Sequence, residues 1–285
     1  MNELTRRLLF ALVGAPLMLG LIYAGGWILA GSAATVSAIG AWELLRMQRE
    51  AGADPLEPAS IIIAAAIPLV VHAHYLGVFD VTVTEWALVL VVLIASTIWT
   101  RGVSQKPMAS AAATLFAALY PTLIAFVYAL RSHEYTVGAV AGTALVMYPV
   151  ATVWATDTGA YTIGRLVGGR KLMPSISPGK TVAGAIGGVS VALIVSVLYA
   201  RFVLPPLAQL GVSVAGALAF GVAVSVAAQT GDLAESLFKR DAGVKDSSRL
   251  LPGHGGILDR FDGLYFALPV AYLALGHLLF PVPGR

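Results

Sequence analysis

Six of the 15 acidic residues of this chain fall in one stretch, residues 231–263: Asp232, Glu235, Asp241, Asp246, Asp259 and Asp262. The same stretch carries Lys239, Arg240, Lys245, Arg249 and Arg260. If a helix runs through its beginning, Asp232, Glu235, Ser236 and Lys239 fall at i, i+3, i+4 and i+7, and share one face. That face would present carboxylates, a hydroxyl and an ammonium. Further on, Pro252-Gly253-His254-Gly255-Gly256 sets three glycines within four residues. Such a run destabilises regular structure but lets backbone N–H groups approach an anion closely. Asp259, Arg260 and Asp262 follow, with the two carboxylates three apart and so on one side of a starting helix. A second stretch, 156–181, has matching chemistry: Asp157, then small residues, then Arg165, Arg170 and Lys171, and finally Ser177-Pro178-Gly179-Lys180-Thr181. Hard oxygen ligands without Cys or a paired His motif suit Mg2+, which takes one or two carboxylates and shares its other positions with water and substrate phosphates. Cationic side chains beside those carboxylates are what a polyphosphate needs. The combination points to metal-assisted phosphoryl or nucleotidyl transfer.

Each piece also has a plainer explanation. Glu235 with Lys239 is an i,i+4 ion pair, contributing about 0.3–0.5 kcal/mol. Asp232, after Gly231, can cap a helix, and Asp259 with Asp262 suits the dipole at a helix N-terminus. The glycine run can be a hairpin-like turn. Lys180 can be a surface anchor, with Thr181 capping the helix that follows. Gly179-Lys180-Thr181 is not a P-loop, because the G-x-x-x-x-G-K-[ST] spacing fails and no βαβ unit surrounds it.

The elements that must hold these residues are membrane helices. Of 285 residues, 12% are charged and 58% hydrophobic, against about 25% charged in ordinary globular proteins; the mean hydropathy is +0.83. A soluble fold cannot cover its surface with that composition, and disorder, collagen-like structure, coiled coils and nucleic-acid arms need polarity, repeats or charge runs that are missing. With no cysteine, disulfide scaffolds, thiolate metal sites and cysteine nucleophiles are excluded. A membrane helix needs about 20 mostly apolar residues. Nine such runs lie near 8–24, 26–45, 59–79, 84–100, 109–130, 136–155, 182–204, 212–230 and 264–281. Glu43 interrupts the second; the third carries Pro68, His72 and His74. The expected fold is all-α, a polytopic integral membrane protein of about nine transmembrane helices with a cytoplasmic N-terminus. With that orientation, only Arg131, Arg201 and Arg285 of the 18 Lys and Arg residues lie outside, as the positive-inside rule requires. The opening Met1–Arg7 followed by an apolar run resembles a signal peptide and is read as an uncleaved first span. No internal repeat of the inverted-transporter kind is seen. Prolines 68, 121, 149 and 269 within spans are read as packing features.

The run S-L-F-K-R-D-A-G-V-K-D-S-S-R-L-L-P-G-H-G-G-I-L-D-R-F-D, residues 236–262, resembles the signature of the phosphatidate cytidylyltransferase family, the CDP-diacylglycerol synthases. Gly231–Glu235, Asp157-Thr158-Gly159-Ala160-Tyr161 and Ser177–Thr181 are similar to the family too, so close matching covers roughly 154–268. The resemblance divides the chain into variable N-terminal helices (1–150) and a catalytic region (151–285) with cytoplasmic loops at 156–181 and 231–263. It implies that phosphatidate and CTP give CDP-diacylglycerol and pyrophosphate with Mg2+, and with room for a second cation. Asp232 and Asp259 would hold the metal, with Asp262 and Asp246 as secondary carboxylates. Lys239, Lys245, Arg260, Lys180 and Arg165 would meet the phosphates, and His254 would donate to one; Ser236, Arg240 and Asp157 complete the substrate-binding set. Three positions depart from the family pattern: Ala183 where an acidic residue is common, Ser248 where glycine is expected, and Gly263 where serine is common. The resemblance also implies a homodimer in the bacterial plasma membrane, multi-pass, with its site on the cytoplasmic side; the partners are CTP, phosphatidate and membrane lipid, without nucleic acid. Two rivals are a CTP-dependent polyprenol or phytol kinase, and a transporter using Glu43, Glu85, His72 and His74.

Overall fold

In hydrocarbon every backbone polar group must be satisfied within the protein, and a helix does so within one segment. The computed structural model describes residues 3–78, 80, 82–103, 106–133, 137–251 and 255–282, and the described part of each of the nine apolar runs is mostly helical. The helices are α1 (Glu3–Ala24), α2 (Gly26–Glu50), α3 (Glu57–Tyr75), α4 (Val83–Thr100), α5 (Pro107–Leu119), α6 (Phe126–Arg131), α7 (Ala139–Val167), α8 (Val182–Phe202), the short α9 (Leu204–Ala208), α10 (Val214–Asp241) and α11 (Leu258–Leu278). The protein is thus an all-α polytopic membrane protein. Among the described residues, seven helical segments are long and apolar enough to cross a membrane, Pro107–Arg131 counting as one; Leu12–Ala24 of α1 and Thr84–Thr100 of α4 are apolar but shorter. Within Pro107–Arg131 a 3-10 segment, Tyr120–Ala125, joins α5 to α6; Pro121 lacks the N–H that an α-helix would use there. Pro68, Pro149 and Pro269 lie inside helices that continue through them.

The polar stretches are more helical than the division into spans and loops anticipates. The first part of 156–181 continues α7 as far as Val167, and the start of 231–263 continues α10 as far as Asp241. Asp232, Glu235, Ser236 and Lys239 therefore do lie on one uninterrupted helix. What remains of the first stretch is a small antiparallel hairpin, β1 (Lys171–Met173) paired with β2 (Ser177–Thr181), in which Lys171 faces Thr181. A second pair, β3 (Leu210–Gly211) and β4 (Phe280–Pro281), is two residues long on each side.

The chain packs as two units: Met1–Leu21, Gly25–Tyr128 and Phe238–Arg260 form one, and Ile22–Ala24, Ala129–Leu237 and Phe261–Arg285 the other. In the first, α2 buries a stripe of small residues, Ala30, Ala33, Ala34, Ser37 and Ala41, the kind of surface that lets membrane helices approach closely. Ser37 Oγ donates to the Pro121 carbonyl (3.3 Å), and Ser60 Oγ to that of Thr114 (3.0 Å). The polar residues that a transporter would use have local duties here. Glu85 closes a capping box with Thr82 on α4, the buried His72 pairs with Tyr128 (2.5 Å), and exposed His74 meets Asp80 (2.9 Å).

In the second unit α7 and α8 are in very close contact. An added Cβ at Gly184 would lie 2.8 Å from the Ala160 carbonyl, and one at Gly188 2.9 Å from that of Thr156. The small-residue stretch Gly184–Gly188 is thus used within the chain. Tyr148 of α7 stacks on Phe220 of α10 and on Tyr199 of α8. Its hydroxyl lies 2.8 Å from Ser196 Oγ, which donates to the Ala217 carbonyl (2.6 Å). Interhelical hydrogen bonds of this kind average about 0.6 kcal/mol in membranes, so they fix register more than they add stability. Thr181 Oγ1 accepts from Gly184 N (3.0 Å) and caps α8, as its position before an apolar run predicts.

Candidate active site

The second unit contains a cavity of about 640 Å³. Its walls include Asp157, Tyr161 and Arg165 from α7, Lys180 and Thr181 from the hairpin, Gly184 from α8, and Gln229 and Asp232 from α10. Lys180 Nζ lies 2.7 Å from Asp232 Oδ2, with the two side chains 28% and 38% exposed. At that exposure an ion pair contributes only about 0–1 kcal/mol, so its importance is positional. Asp157 and Asp232 repel each other across the site, while Lys180 attracts Asp157. Ser236 Oγ stands 3.4 Å from Asp232 Oδ1. Arg165 donates to the Tyr161 hydroxyl (2.8 Å) and lies over that ring. The carboxylates of Asp157 and Asp232, the ammonium of Lys180 and the Arg165 guanidinium thus share one chamber, although α7 and α10 are far apart in sequence.

The first unit contains a different arrangement, around Asp259 at the start of α11. Asp259 Oδ1 is 2.7 Å from Lys239 Nζ. Its Oδ2 accepts from Gly256 N (2.8 Å), Ser247 N (3.0 Å) and Ser247 Oγ (2.9 Å). The side chains of Lys239 and Asp259 are only 12% and 7% exposed. A carboxylate has about four lone-pair sites; here Lys239 Nζ, Gly256 N and Ser247 N address three, and the Ser247 hydroxyl, with one proton, reaches both this carboxylate and that of Glu43. The glycine run serves this carboxylate directly: a Cβ on Gly255, whose φ is +75°, would press on the Asp259 carboxylate. One on Gly256 would collide with Ser247 and with Glu43. The anions that the glycines admit in this structure are therefore side chains of the protein itself.

The remaining sequence-derived residues take up distinct places. Arg240 Nη1 donates to the Val244 carbonyl (3.3 Å) in the turn after α10. Lys245 and Asp246 line a smaller cavity of about 250 Å³ with Arg46 and Glu50. Arg260 is exposed, and Asp262 Oδ1 accepts from Gly263 N (2.7 Å). Residues 252–254, His254 among them, lie outside the described residues. Two contributors escape the sequence argument. Gln229 and Tyr161 line the large cavity, and neither residue type marks a site on its own. Glu43 is completely buried and bonded to the signature segment. Its signal was available, since a carboxylate inside an apolar run is costly and so tends to be functional.

Among the described residues no three or more His, Asp or Glu side chains gather closely enough to hold a metal ion by themselves. The donors of the large cavity nevertheless suit Mg2+: two carboxylates that repel each other, open to a chamber roomy enough for phosphates to complete the coordination.

A helical membrane scaffold carrying a carboxylate and cation chamber is the setting in which the comparisons with known proteins fall. The model of the cytidylyltransferase family matches residues 5–278, and the chain belongs to that family. The phosphatidate cytidylyltransferase of Haemophilus influenzae is 41% identical over 190 residues, 66% of this chain and 64% of that protein. The phosphatidate cytidylyltransferases of Staphylococcus haemolyticus and Bacillus subtilis are 48% and 44% identical over 134 residues, 47% of this chain and 50% and 48% of theirs. The matched segments thus span about half to two thirds of these relatives.

Proposed function

We propose that the protein transfers a cytidylyl group from CTP to phosphatidate, giving CDP-diacylglycerol and pyrophosphate. A phosphate oxygen of the lipid attacks the α-phosphorus of CTP, and the bond from that phosphorus to the bridging oxygen of the β-phosphate breaks, releasing pyrophosphate. A phosphate monoester has its second pKa near 6, so the nucleophile is already charged at neutral pH and needs little general base. The difficulty is that two anions must meet, and catalysis consists mostly of positioning and charge stabilisation. The observation that carries this reading is the chamber shared by Asp157, Arg165 and Asp232, on helices able to cross a membrane, with Lys180 from the hairpin.

In this reading Lys180 and Arg165 draw phosphate oxygens into the chamber, while Lys239, Lys245 and Arg260 supply further cationic contacts. Asp232, with Asp157 beside it, would hold Mg2+, and Asp259 would be the second metal carboxylate that the family resemblance implies; in this structure Lys239 Nζ occupies its Oδ1. Bound Mg2+ supplies screening of the phosphate charges and stabilisation of the leaving pyrophosphate. The excess of Lys and Arg in the loops that share a membrane side with the N-terminus, in the nine-span reading of the sequence, supports a site facing the cytoplasm of a bacterial cell. A homodimer belongs to the reading on family resemblance alone.

The test is an assay of the purified full chain with phosphatidate, CTP and Mg2+, with dATP and a prenol as controls. Pyrophosphate and a CDP-lipid are expected. Release of CDP with a phosphorylated prenol would instead make the protein a lipid kinase, and no CTP-dependent product in any arm would remove the enzymatic reading.

A further inference from the structure

Glu43 lies on α2, far in sequence from the signature segment, and is fully buried. A carboxylate enclosed in a membrane helix is unfavourable unless its oxygens are compensated. Three donors compensate these outright and a fourth is shared. Oε1 accepts from Ser248 Oγ (2.6 Å) and Ile257 N (2.9 Å); Oε2 accepts from Leu258 N (2.8 Å), and Ser247 Oγ stands 3.1 Å from it with one proton to divide between Glu43 and Asp259. Every donor belongs to the segment that also grips Asp259. The Ser247 hydroxyl lies between the two carboxylates, within reach of both. Gly256, whose N–H holds Asp259 Oδ2, has no room for a side chain because Glu43 and Ser247 fill that space. Ser248, one of the departures from the family pattern, supplies the shortest of the four bonds.

We infer that Glu43 is the positioning residue for Asp259: from α2 it holds Ser247 and Ser248 on one side and the backbone of Ile257 and Leu258 on the other, so that Ser247 and Gly256 hold Asp259 Oδ2 and leave Oδ1 directed at Lys239. An apolar side chain would fill the same volume without desolvating a charge. Only an acceptor with two oxygens orients two hydroxyls and two N–H groups together. The inference rests on the role of Asp259 proposed above.

The experiment uses the full chain in lipid, with Glu43→Gln, Ser248→Ala and Asp259→Asn compared for kcat, for KM of CTP and phosphatidate, and for amide hydrogen exchange. Misplacement of a catalytic group from a distance can lower turnover on the order of 100-fold, and Glu43→Gln is expected to do so with both KM values near wild type. Exchange should accelerate at Gly256, Ile257 and Leu258 while α3 stays protected. Ser248→Ala removes one hydrogen bond and no charge, so a fall in kcat of about 5-fold is expected. Unchanged kcat in Glu43→Gln, or a defect confined to KM, overturns the inference. So does unchanged exchange at 256–258. If Glu43→Gln does not fold, Ser248→Ala decides: an unchanged kcat there also overturns it. Near-normal turnover in Asp259→Asn sinks instead the role of Asp259, a result distinct from an inactive Asp259→Asn beside a normal Glu43→Gln.

Discussion

Asp232 and Asp259 are the same residue type, both singled out from one polar stretch, yet their surroundings differ. Asp232 stands on the wall of a chamber of about 640 Å³, half-exposed, with one ammonium at one oxygen and a distant hydroxyl near the other. Asp259 is nearly enclosed, and three donors and a shared hydroxyl address its two oxygens. The first faces the open space of the chamber; the second is held by donors of the chain around it. A carboxylate's contribution to folding therefore cannot be inferred from its contribution to chemistry, because the two depend on different donors.

Substitutions can break that comparison. Asp232→Asn should show the largest effect on turnover, a loss on the order of 10³-fold by analogy with removing one stabilising group from a transition state, with unfolding free energy within about 0.5 kcal/mol of wild type. Steady-state kinetics and thermal unfolding of the same preparation check both halves. Asp259→Asn should lose turnover on the order of 10²-fold and also about 1.5–3 kcal/mol of stability, since it unbalances a buried, charge-assisted set of hydrogen bonds. If the two variants are equally stable, the contrast is wrong. Gly256→Ala forces a methyl against Ser247 and Glu43, and a destabilisation of about 1–3 kcal/mol is expected, read by thermal unfolding. Lys180→Gln should be the mildest: KM for CTP rises about tenfold, as when one cationic contact to phosphate is lost, while unfolding shifts by no more than about 1 kcal/mol.

Much of this was legible in the sequence, and the rest was hidden for identifiable reasons. Length and hydrophobicity are local properties, so the described part of every apolar run is mostly helix, although among the described residues seven segments, not nine, are long and apolar enough to cross a membrane. The i, i+3, i+4, i+7 spacing of Asp232, Glu235, Ser236 and Lys239 needs only one helix to be true, and α10 supplies it. Lys180 has two readings, a phosphate contact and a surface anchor, while Thr181 is read as a helix cap. The structure puts Thr181 on the cap of α8 and Lys180 on Asp232. The glycine run suggests backbone N–H groups close to an anion; in the structure Gly256 N donates to the Asp259 carboxylate, and Glu43 and Ser247 occupy the space where its side chain would stand. That partnership joins residues about two hundred positions apart, and no periodicity within a window reports a contact of that range. The chamber shared by Asp157 and Asp232 was hidden for the same reason, since it depends on how α7 and α10 pack.

The hairpin that presents Lys180 turns at Pro174, Ser175 and Ile176, where Ile176 N donates to the Met173 carbonyl (3.2 Å) and Ser175 is exposed. Because the sequence contains no cysteine, a Ser175→Cys variant would carry a single thiol, placed on the strand connection leading into the chamber. A membrane-impermeant maleimide applied to intact cells and to inverted vesicles would then report on which side of the bilayer that connection lies, and a fluorophore attached there would sense the arrival of nucleotide without touching a residue that binds it.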